Sequence, residues 1–337
     1  MKAMVLDAPA PIGSKPLRLG EISDPLPGRG ELLVQVHVCA ICRTDLHLIE
    51  GDLPLGRRPL VPGHQVVGTV ERVGAGCDRF VAGDRVGIAW LRHTCGSCGF
   101  CLAGAENLCP GSLYTGFHSD GGYAEKATVP EAFAYRIPAS FSDTDAAPLL
   151  CAGIIGYRAL RRSEVPRRGR LGLFGFGSSA HLVLQIALHR GCEVFVATRG
   201  ERHRALARSL GASWVGDGAN RMPVLLDGAI VFAPAGEIVP YALRAIRSGG
   251  TVALAGITMT PLPPMDYVEC LFHEKNLRSV EANTRADGEE LLREAAEIPI
   301  RPRTVLYPLA RANEALMGLK QGRIEGTGAL VIGGDES

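Results

Sequence analysis

The sequence predicts an α/β protein in which a β-rich first part is followed by a doubly wound parallel sheet. Residues 31–41 and 65–74 are rich in β-branched side chains and are bounded by glycine, proline and aspartate, as strands usually are. From residue 170 onward, predicted strands alternate with helices, which indicates a parallel sheet with helices on both faces. The length of 337 residues favours two domains of roughly 100–200 residues each.

The segment 170–199 gives the strongest element pattern of the second part. Its order is strand, glycine turn, helix and strand, and the apolar residues of the helix recur close to the 3.6-residue period. Other elements are predicted further along: a helix over 201–212, strands near Trp214 and over 229–232 and 249–257, and, from about residue 286, two helices and a closing strand over 328–334.

Composition and charge exclude several classes of function. The formal net charge is +1 with no basic tail, which argues against nucleic-acid binding through a broad electrostatic patch. The first residues hold too short an apolar run for a signal peptide, and no run of about 18 apolar residues predicts a membrane helix. We therefore expect a cytoplasmic protein with neither nucleic-acid nor membrane partners, in which the ten cysteines favour metal over disulfides.

Four cysteines between residues 93 and 110 have the spacing of a metal cage. Cys95, Cys98, Cys101 and Cys109 follow the pattern C-x2-C-x2-C-x7-C, with intervening glycines that let the backbone fold tightly. Four thiolates around one point are typical of a closed structural zinc site. An iron–sulfur cluster is the alternative, although ferredoxin motifs continue with a shorter gap, and a plain thiol cluster also stays open.

A glycine-rich turn follows the strand that begins at residue 170. Gly175, Gly177 and Ala180 form the pattern G-x-G-x-x-A between that strand and a helix, which is typical of dinucleotide-binding sites. The first glycine allows the tight turn, and the second lets the backbone approach a pyrophosphate. The alternative is an ordinary strand–turn–helix connection.

A second set of metal-ligand types lies outside the four-cysteine segment. Cys42, His64 and Cys151 would offer two thiolates and one imidazole, which can hold zinc and leave a fourth position open. Their wide spacing is equally typical of unrelated buried residues, so the residues alone leave both interpretations open.

A family resemblance bears on that choice. The chain contains, in order, "ICRTDLHLIEGDLP", "VPGHQVVGTVERVGAGCDRFVAGDRV", the four-cysteine segment, "DGGYAEKATVP", "APLLCAGIIGYRAL" and "LFGFGSSAH". With its closing segment, it resembles the zinc-dependent medium-chain alcohol dehydrogenases over nearly its whole length. The resemblance implies a GroES-like domain of residues 1–152 and 286–337, with the zinc lobe at 93–110, and an inserted Rossmann domain of residues 153–285.

The resemblance also implies two zinc ions per chain. Cys42, His64 and Cys151 would bind the catalytic zinc, and the four cysteines of the lobe would bind the structural one. The remaining cysteines are expected to be small buried hydrophobic residues; they are Cys39, Cys77, Cys192 and Cys270.

The implied activity is hydride transfer between an alcohol and NAD(P), giving an aldehyde or ketone, or the reverse reduction. Asp45 would hydrogen-bond the ligand His64, and Thr44 would contact a zinc-bound alkoxide. His47 would end a proton relay that runs from Thr44 through the cofactor ribose to solvent. Trp90 would line the substrate pocket. A zinc-containing quinone or enone reductase and a non-catalytic cofactor-binding protein are the alternative functions.

Two positions bear on how this chain differs from its relatives. The family usually has an acid directly after the ligand histidine, where this chain has Gln65. The second strand of the Rossmann domain is expected to end in an acid when NAD is preferred, but here Thr198 and Arg199 stand there. The missing acid slightly favours NADP(H) over NAD(H). The resemblance further implies a homodimer or homotetramer.

Overall fold

The structure, a computed structural model, describes residues 1–217 and 221–333. Its strands, in chain order, are β1 (Lys2–Leu6), β2 (Leu17–Glu21), β3 (Glu31–Ala40), β4 (Gln65–Val73), β5 (Arg85–Ile88), β6 (Leu91–His93), β7 (Leu113–Tyr114), β8 (Lys126–Pro130), β9 (Ala134–Arg136), β10 (Arg170–Phe174), β11 (Glu193–Ala197), β12 (Trp214–Gly216), β13 (Leu226–Val231), β14 (Ile246–Leu254), β15 (Asn276–Ser279), β16 (Thr304–Pro308) and β17 (Thr327–Val331). Its α-helices are α1 (Arg43–Glu50), α2 (Gly99–Leu102), α3 (Asp143–Ala146), α4 (Ala152–Arg162), α5 (Ser178–His189), α6 (Glu201–Ser209), α7 (Val239–Ala245), α8 (Tyr267–Cys270), α9 (Arg285–Glu297) and α10 (Ala312–Lys320).

The chain forms two compact units. The first contains Met1–Cys151, Ala282–Ala296 and the chain from Pro302, and the second contains Ala152–Glu281 and Glu297–Arg301. The GroES-like and Rossmann boundaries expected from the resemblance, at 152/153 and 285/286, stay a prediction.

The first unit is built on a mixed seven-stranded sheet. Its order is β16-β17-β3-β4-β5-β9, and β8 also pairs with β3. The strands predicted over 31–41 and 65–74 are confirmed as β3 and β4. Most of β3 is buried because it pairs with β17, β4 and β8 along its length. Two of its β-branched residues, Val34 and Val36, pack in an apolar core of this unit.

The second unit contains a six-stranded parallel sheet of order β12-β11-β10-β13-β14-β15, so the predicted α/β class is confirmed. Strands β10 and β11 flank helix α5, as the pattern over 170–199 predicts. The sheet also has an edge strand, β15, that the sequence analysis missed. Its residues, Asn-Leu-Arg-Ser, carry no β-branched side chain, so pairing with β14 rather than local preference makes them a strand.

Several boundaries differ from the expected ones. Helix α6 ends at Ser209 because Gly211 adopts a positive φ of +96°, which terminates the helix. The tail adds both expected helices and a further strand, β16. The closing strand ends at Val331, and residue 334 of its expected range lies outside the described residues. Among the described residues, no helix is long and apolar enough to cross a lipid bilayer.

The cysteines that belong to neither proposed zinc site were expected to be buried. Three of them are buried: Cys39, Cys192 and Cys270. The expectation is wrong for Cys77, which is half-buried in the loop after β4. Its Sγ donates to the Glu31 carbonyl at 3.4 Å, and the partly buried side chain packs against the outside of the apolar core.

Candidate metal centres and active site

The first turn of helix α1 places four expected site residues close together. Cys42 is the N-cap, and the Thr44 N–H donates to its Sγ at 3.5 Å. The Asp45 carboxylate accepts from the Cys42 N–H at 2.8 Å, which completes a capping box. His47 follows within the same short helix, which ends at Gly51 with a φ of +87°.

Folding brings Cys42, His64 and Cys151 to one point in the first unit. Their ligand atoms all lie within 4.8 Å of one another, and the two Sγ atoms are 3.9 Å apart. Zn–S bonds of about 2.3 Å in a tetrahedron would separate two sulfurs by about 3.8 Å. His64 Nε2 is buried without a hydrogen-bond partner among the described residues, as a nitrogen reserved for a metal would be. The three side chains therefore fit a zinc ion.

The other ring nitrogen of His64 is held by Asp45. The His64 Nδ1 and Asp45 Oδ1 lie 3.1 Å apart, and both side chains are almost fully buried. Because a carboxylate only accepts, Nδ1 is the nitrogen that donates to Asp45, which leaves Nε2 as the nitrogen available to a metal ion. The Tyr123 hydroxyl donates to the second Asp45 oxygen at 3.1 Å. Burial alone would lower the pKa of His64, but Asp45 and Cys42 raise it to about 10.

The thiols of Cys42 and Cys151 differ in acidity. The hydrogen bond from Cys151 lowers the pKa of Cys42 well below its ordinary value, against the opposing effect of burial. The imidazole of His64 and the hydroxyl of Thr44 lower it further. Cys42 is therefore set up as a thiolate, which is the form that binds metals.

The four-cysteine lobe forms a second, closed group. Its Sγ atoms lie 3.5 Å (Cys95–Cys109), 3.6 Å (Cys98–Cys101) and 4.0 Å (Cys95–Cys101) apart. The backbone N–H groups of Cys98 and Gly111 donate to sulfurs at 3.3 Å, which stabilises thiolates. Hydrogen bonds from the backbone at residues 97 and 98 contribute to lowering the pKa of Cys95 to about 6. This geometry again fits tetrahedral zinc.

The lobe is tied to helix α9 by an ion pair that the sequence analysis missed. Arg285 donates to the buried Glu106 carboxylate through its backbone N–H (2.7 Å), Nε (3.0 and 3.1 Å) and Nη2 (2.6 Å). The guanidinium also lies 4.8 Å from the centroid of the Phe133 ring. The two partners are 179 residues apart, and no local pattern signals such a contact.

The residues expected around the catalytic zinc differ in how far their side chains are buried. The Thr44 Oγ1 lies 3.5 Å from Cys42 Sγ and is buried. His47 is half-buried, and its Nδ1 lies 2.7 Å from the Asp52 carboxylate. Trp90 packs edge-on against the ring of His64, with centroids 4.9 Å apart.

The glycine turn of the second unit has the expected form. Gly175 has a φ of +91°, and a Cβ on it would lie 2.8 Å from the backbone nitrogen of Ala233. Nothing lies within 4 Å of a Cβ built on Gly177, so this face of the turn is open. Ala180 is buried in the first turn of α5. Thr198 and Arg199 follow β11, the first buried and the second exposed.

Comparison with known proteins identifies the family. Residues 28–139 match the model described as "Alcohol dehydrogenase GroES-like domain", and residues 180–297 match "Zinc-binding dehydrogenase". The chain is 52% identical to "Probable alcohol dehydrogenase AdhA" of Mycobacterium tuberculosis, over 98% of this chain and 97% of that protein. The chain belongs to the zinc-dependent medium-chain alcohol dehydrogenase family.

Two solved structures illustrate the likeness. A cinnamyl alcohol dehydrogenase of Sorghum bicolor has a TM-score of 0.87 and 28% identity, covering 98% of this chain and 97% of its own. A zinc-binding dehydrogenase of Sinorhizobium meliloti, bound to NADP, has a TM-score of 0.85 and 26% identity, covering 98% of both chains. This alcohol dehydrogenase thus has a catalytic zinc site of Cys42, His64 and Cys151 and a structural zinc site of four cysteines.

This alcohol dehydrogenase departs from the usual family pattern at Gln65. The side chain is almost fully buried, and its Oε1 has no hydrogen-bond partner in the part of the chain that the structure describes. The substitution removes a negative charge from the residue next to the zinc ligand, while the three ligands remain assembled.

Proposed function

We propose that this dehydrogenase oxidises alcohols, or reduces the matching carbonyls, with Thr44 and His47 moving the hydroxyl proton and with a preference for NADP(H). The observation that carries the reaction class is the ligand triad of Cys42, His64 and Cys151, with the hydroxyl of Thr44 beside it. Zinc held by this triad would supply Lewis-acid polarisation of the substrate oxygen.

The chain's own residues supply orientation and proton transfer. Asp45 fixes the ring of His64 through Nδ1, so it is a positioning residue. The Thr44 Oγ1 would accept the proton that the alcohol loses. The Nδ1 of His47 lies 2.7 Å from the Asp52 carboxylate, which orients the ring that would pass the proton on. Because His47 is only half-buried, it would exchange that proton with solvent.

The end of β11 supports the cofactor preference. Glu201, the nearest acid along the chain, is engaged in ion pairs with Arg204 (3.0 Å) and Arg208 (2.7 Å). Arg199 is exposed and could pair with a ribose 2′-phosphate through its planar fork, while Thr198 could donate a hydrogen bond. Gly175, Gly177 and Ala180 would form the pyrophosphate turn. The Sinorhizobium meliloti relative is bound to NADP, which supports a nicotinamide dinucleotide as the cofactor.

Assembly and compartment are part of the same proposal. Exposed large apolar side chains between residues 257 and 272 support a homodimer or homotetramer; they are Ile257, Leu262, Tyr267, Val268 and Phe272. None of the ten cysteines, all of which lie in the described part of the chain, is in a disulfide, which supports a reducing, cytoplasmic location.

The test is an alcohol and aldehyde panel assayed with both nicotinamide cofactors, in wild type and in Thr198→Asp. Wild type should have the higher kcat/KM with NADP(H), and the aspartate should reverse the preference by repelling the 2′-phosphate. Glu193→Asp, an exposed acid at the opposite end of β11, serves as the control. A tenfold wild-type preference for NAD(H), about 1.4 kcal/mol, would contradict the cofactor proposal.

A further inference from the structure

Tyr123 is a completely buried residue of the segment between β7 and β8. Its ring packs against the backbone directly before the zinc ligand His64, because a Cβ built on Gly63 would lie 2.4 Å from the Cδ1 atom of the ring. Gly63 has a φ of +99°, a conformation that glycine adopts easily, and its missing side chain leaves room for the ring. The phenol is therefore in close contact with the segment that carries His64.

Backbone hydrogen bonds hold Tyr123 in this position. Its N–H donates to the Pro62 carbonyl at 3.0 Å, and its carbonyl accepts from the Met4 N–H at 2.8 Å. The Gly122 N–H donates to the Gly63 carbonyl at 2.9 Å. These bonds join the Tyr123 segment both to strand β1 and to residues 62–63, so the fold itself sets the place of the ring beside the His64 segment.

The hydroxyl of Tyr123 reaches the carboxylate of Asp45. Asp45 Oδ2 accepts from this hydroxyl at 3.1 Å and from the Cys42 N–H at 2.8 Å, while Oδ1 lies 3.1 Å from His64 Nδ1. Asp45 is completely buried, and a buried carboxylate is stable only when hydrogen bonds satisfy its oxygens. Loss of one of these donors to Oδ2 would leave the carboxylate freer to rotate, and its contact with the His64 ring would change with it.

We propose that Tyr123 is a positioning residue of the catalytic zinc site, which acts through Asp45 on the orientation of the His64 ring. The inference rests on the proposed function, since the zinc site that Tyr123 supports is the one at which the proposed reaction would occur. Groups that orient a metal-ligating histidine set the direction and basicity of its ligand nitrogen, so their loss weakens metal binding. Tyr123 extends this control to a hydroxyl from a separate segment of the first unit.

The first experiment measures zinc affinity by competition with a chromogenic chelator in wild type and in Tyr123→Phe, which keeps the ring and removes only the hydroxyl. The affinity of the catalytic site should fall about 10-fold, the lower end of the range for groups that orient metal ligands. The affinity of the four-cysteine site should not change, and Cys42→Ser, which should keep only that zinc, identifies its signal. Equal catalytic-site affinity in wild type and Tyr123→Phe would overturn the proposal.

The matched control is Tyr135→Phe, which also removes one hydroxyl from the interior of the first unit. Tyr135 is a buried tyrosine of β9, and its ring packs against Gly288 of helix α9. This variant should bind catalytic zinc as wild type does. An equal loss of affinity in both variants would show a general effect of removing a buried hydroxyl and would overturn the positioning role.

Two further measurements separate positioning from a general loss of stability. With cobalt(II) at the catalytic site, the visible d–d bands report the arrangement of the ligands, so Tyr123→Phe should shift them and Tyr135→Phe should not. In a double-mutant cycle, Tyr123→Phe should cause a smaller loss of zinc affinity in Asp45→Asn than in wild type, because the hydroxyl acts through that carboxylate. Unshifted bands, or losses that add fully, would contradict the proposal. Neither measurement depends on turnover, so a protein that shows these changes but oxidises no alcohol would refute only the proposed reaction.

Discussion

Replacing Glu106 by glutamine tests how the structural zinc lobe is anchored. The substitution keeps the shape of the side chain but removes the negative charge of the carboxylate that accepts from the Arg285 backbone N–H, Nε and Nη2. It also turns one amide NH₂ group toward those donors. Burial raises the pKa of Glu106, but the hydrogen bonds and charge of Arg285 outweigh it and lower the pKa below the usual 4.5.

The size of the effect follows from the exposure of the two partners. Hydrogen bonds to charged groups contribute about 1.5–3 kcal/mol each, and breaking a fully buried pair costs about 3–5 kcal/mol. The Glu106 side chain is 10% exposed but that of Arg285 is 39% exposed, so water can solvate the arginine after its partner is lost. We therefore expect a loss of about 2 kcal/mol, which lowers the Tm by about 4–8 °C for a unit of roughly 200 residues.

The assay is calorimetric unfolding of the zinc-loaded protein at neutral pH, together with the rate of zinc transfer to a chromogenic chelator. Glu106→Gln should unfold earlier and release zinc faster, because the anchored residue lies between Cys101 and Cys109. The control is Glu289→Gln on the same helix, where the Arg79 contact is 3.8 Å long and the acid is 62% exposed. Equal Tm values for the two variants would refute the reasoning.

The pH dependence gives an independent check. Since the pKa of Glu106 is lowered in the folded protein, its stabilisation is present above the ordinary carboxyl pKa of 4.5 that applies in the unfolded chain. It is lost as the pH falls through the lower folded value. The Tm difference between wild type and Glu106→Gln should therefore be full at pH 7 and vanish in acid, and a difference that persists at pH 2 would contradict the assignment.

Three further outcomes are expected. His47→Gln should slow alcohol oxidation by about 10²–10⁴-fold, most strongly at neutral and mildly acidic pH, with partial rescue by imidazole buffer; an unchanged pH–rate profile would show that His47 carries no proton. Metal analysis of wild type should find two zinc ions per chain, Cys42→Ser should lose one with the activity but keep the fold, and Cys98→Ser should lose stability first; active wild type holding one zinc would contradict the two-site assignment. Asp45→Asn should weaken zinc binding at the catalytic site about 10- to 100-fold, and an unchanged affinity by competition with a chelator would remove Asp45 as the positioning group for His64.

Local chemistry made much of this protein predictable from its sequence. The strands β3 and β4 follow from runs of β-branched residues, and the glycine turn at Gly175 follows from the conformation that only glycine adopts easily. The four cysteines of the lobe lie within 15 positions, so their spacing alone indicates a shared ligand. Wide spacing left Cys42, His64 and Cys151 ambiguous until motif order and family resemblance were considered.

Other features depend on partners that are distant in the chain, and only the tertiary structure decided them. Edge strand β15 forms by pairing with β14, although its own residues have weak strand preference. The burial of a cysteine depends on the elements packed around it, which is why Cys77 differs from its three counterparts. The Glu106–Arg285 pair joins residues 179 positions apart, and the rings of Trp90, Tyr114 and Phe117 come together beside His64 from separate segments. The spacing of residues along the chain indicates which side chains can share a metal ion. Long-range packing determines which other residues surround that ion, because a contact between distant segments forms only when the rest of the fold places both segments together.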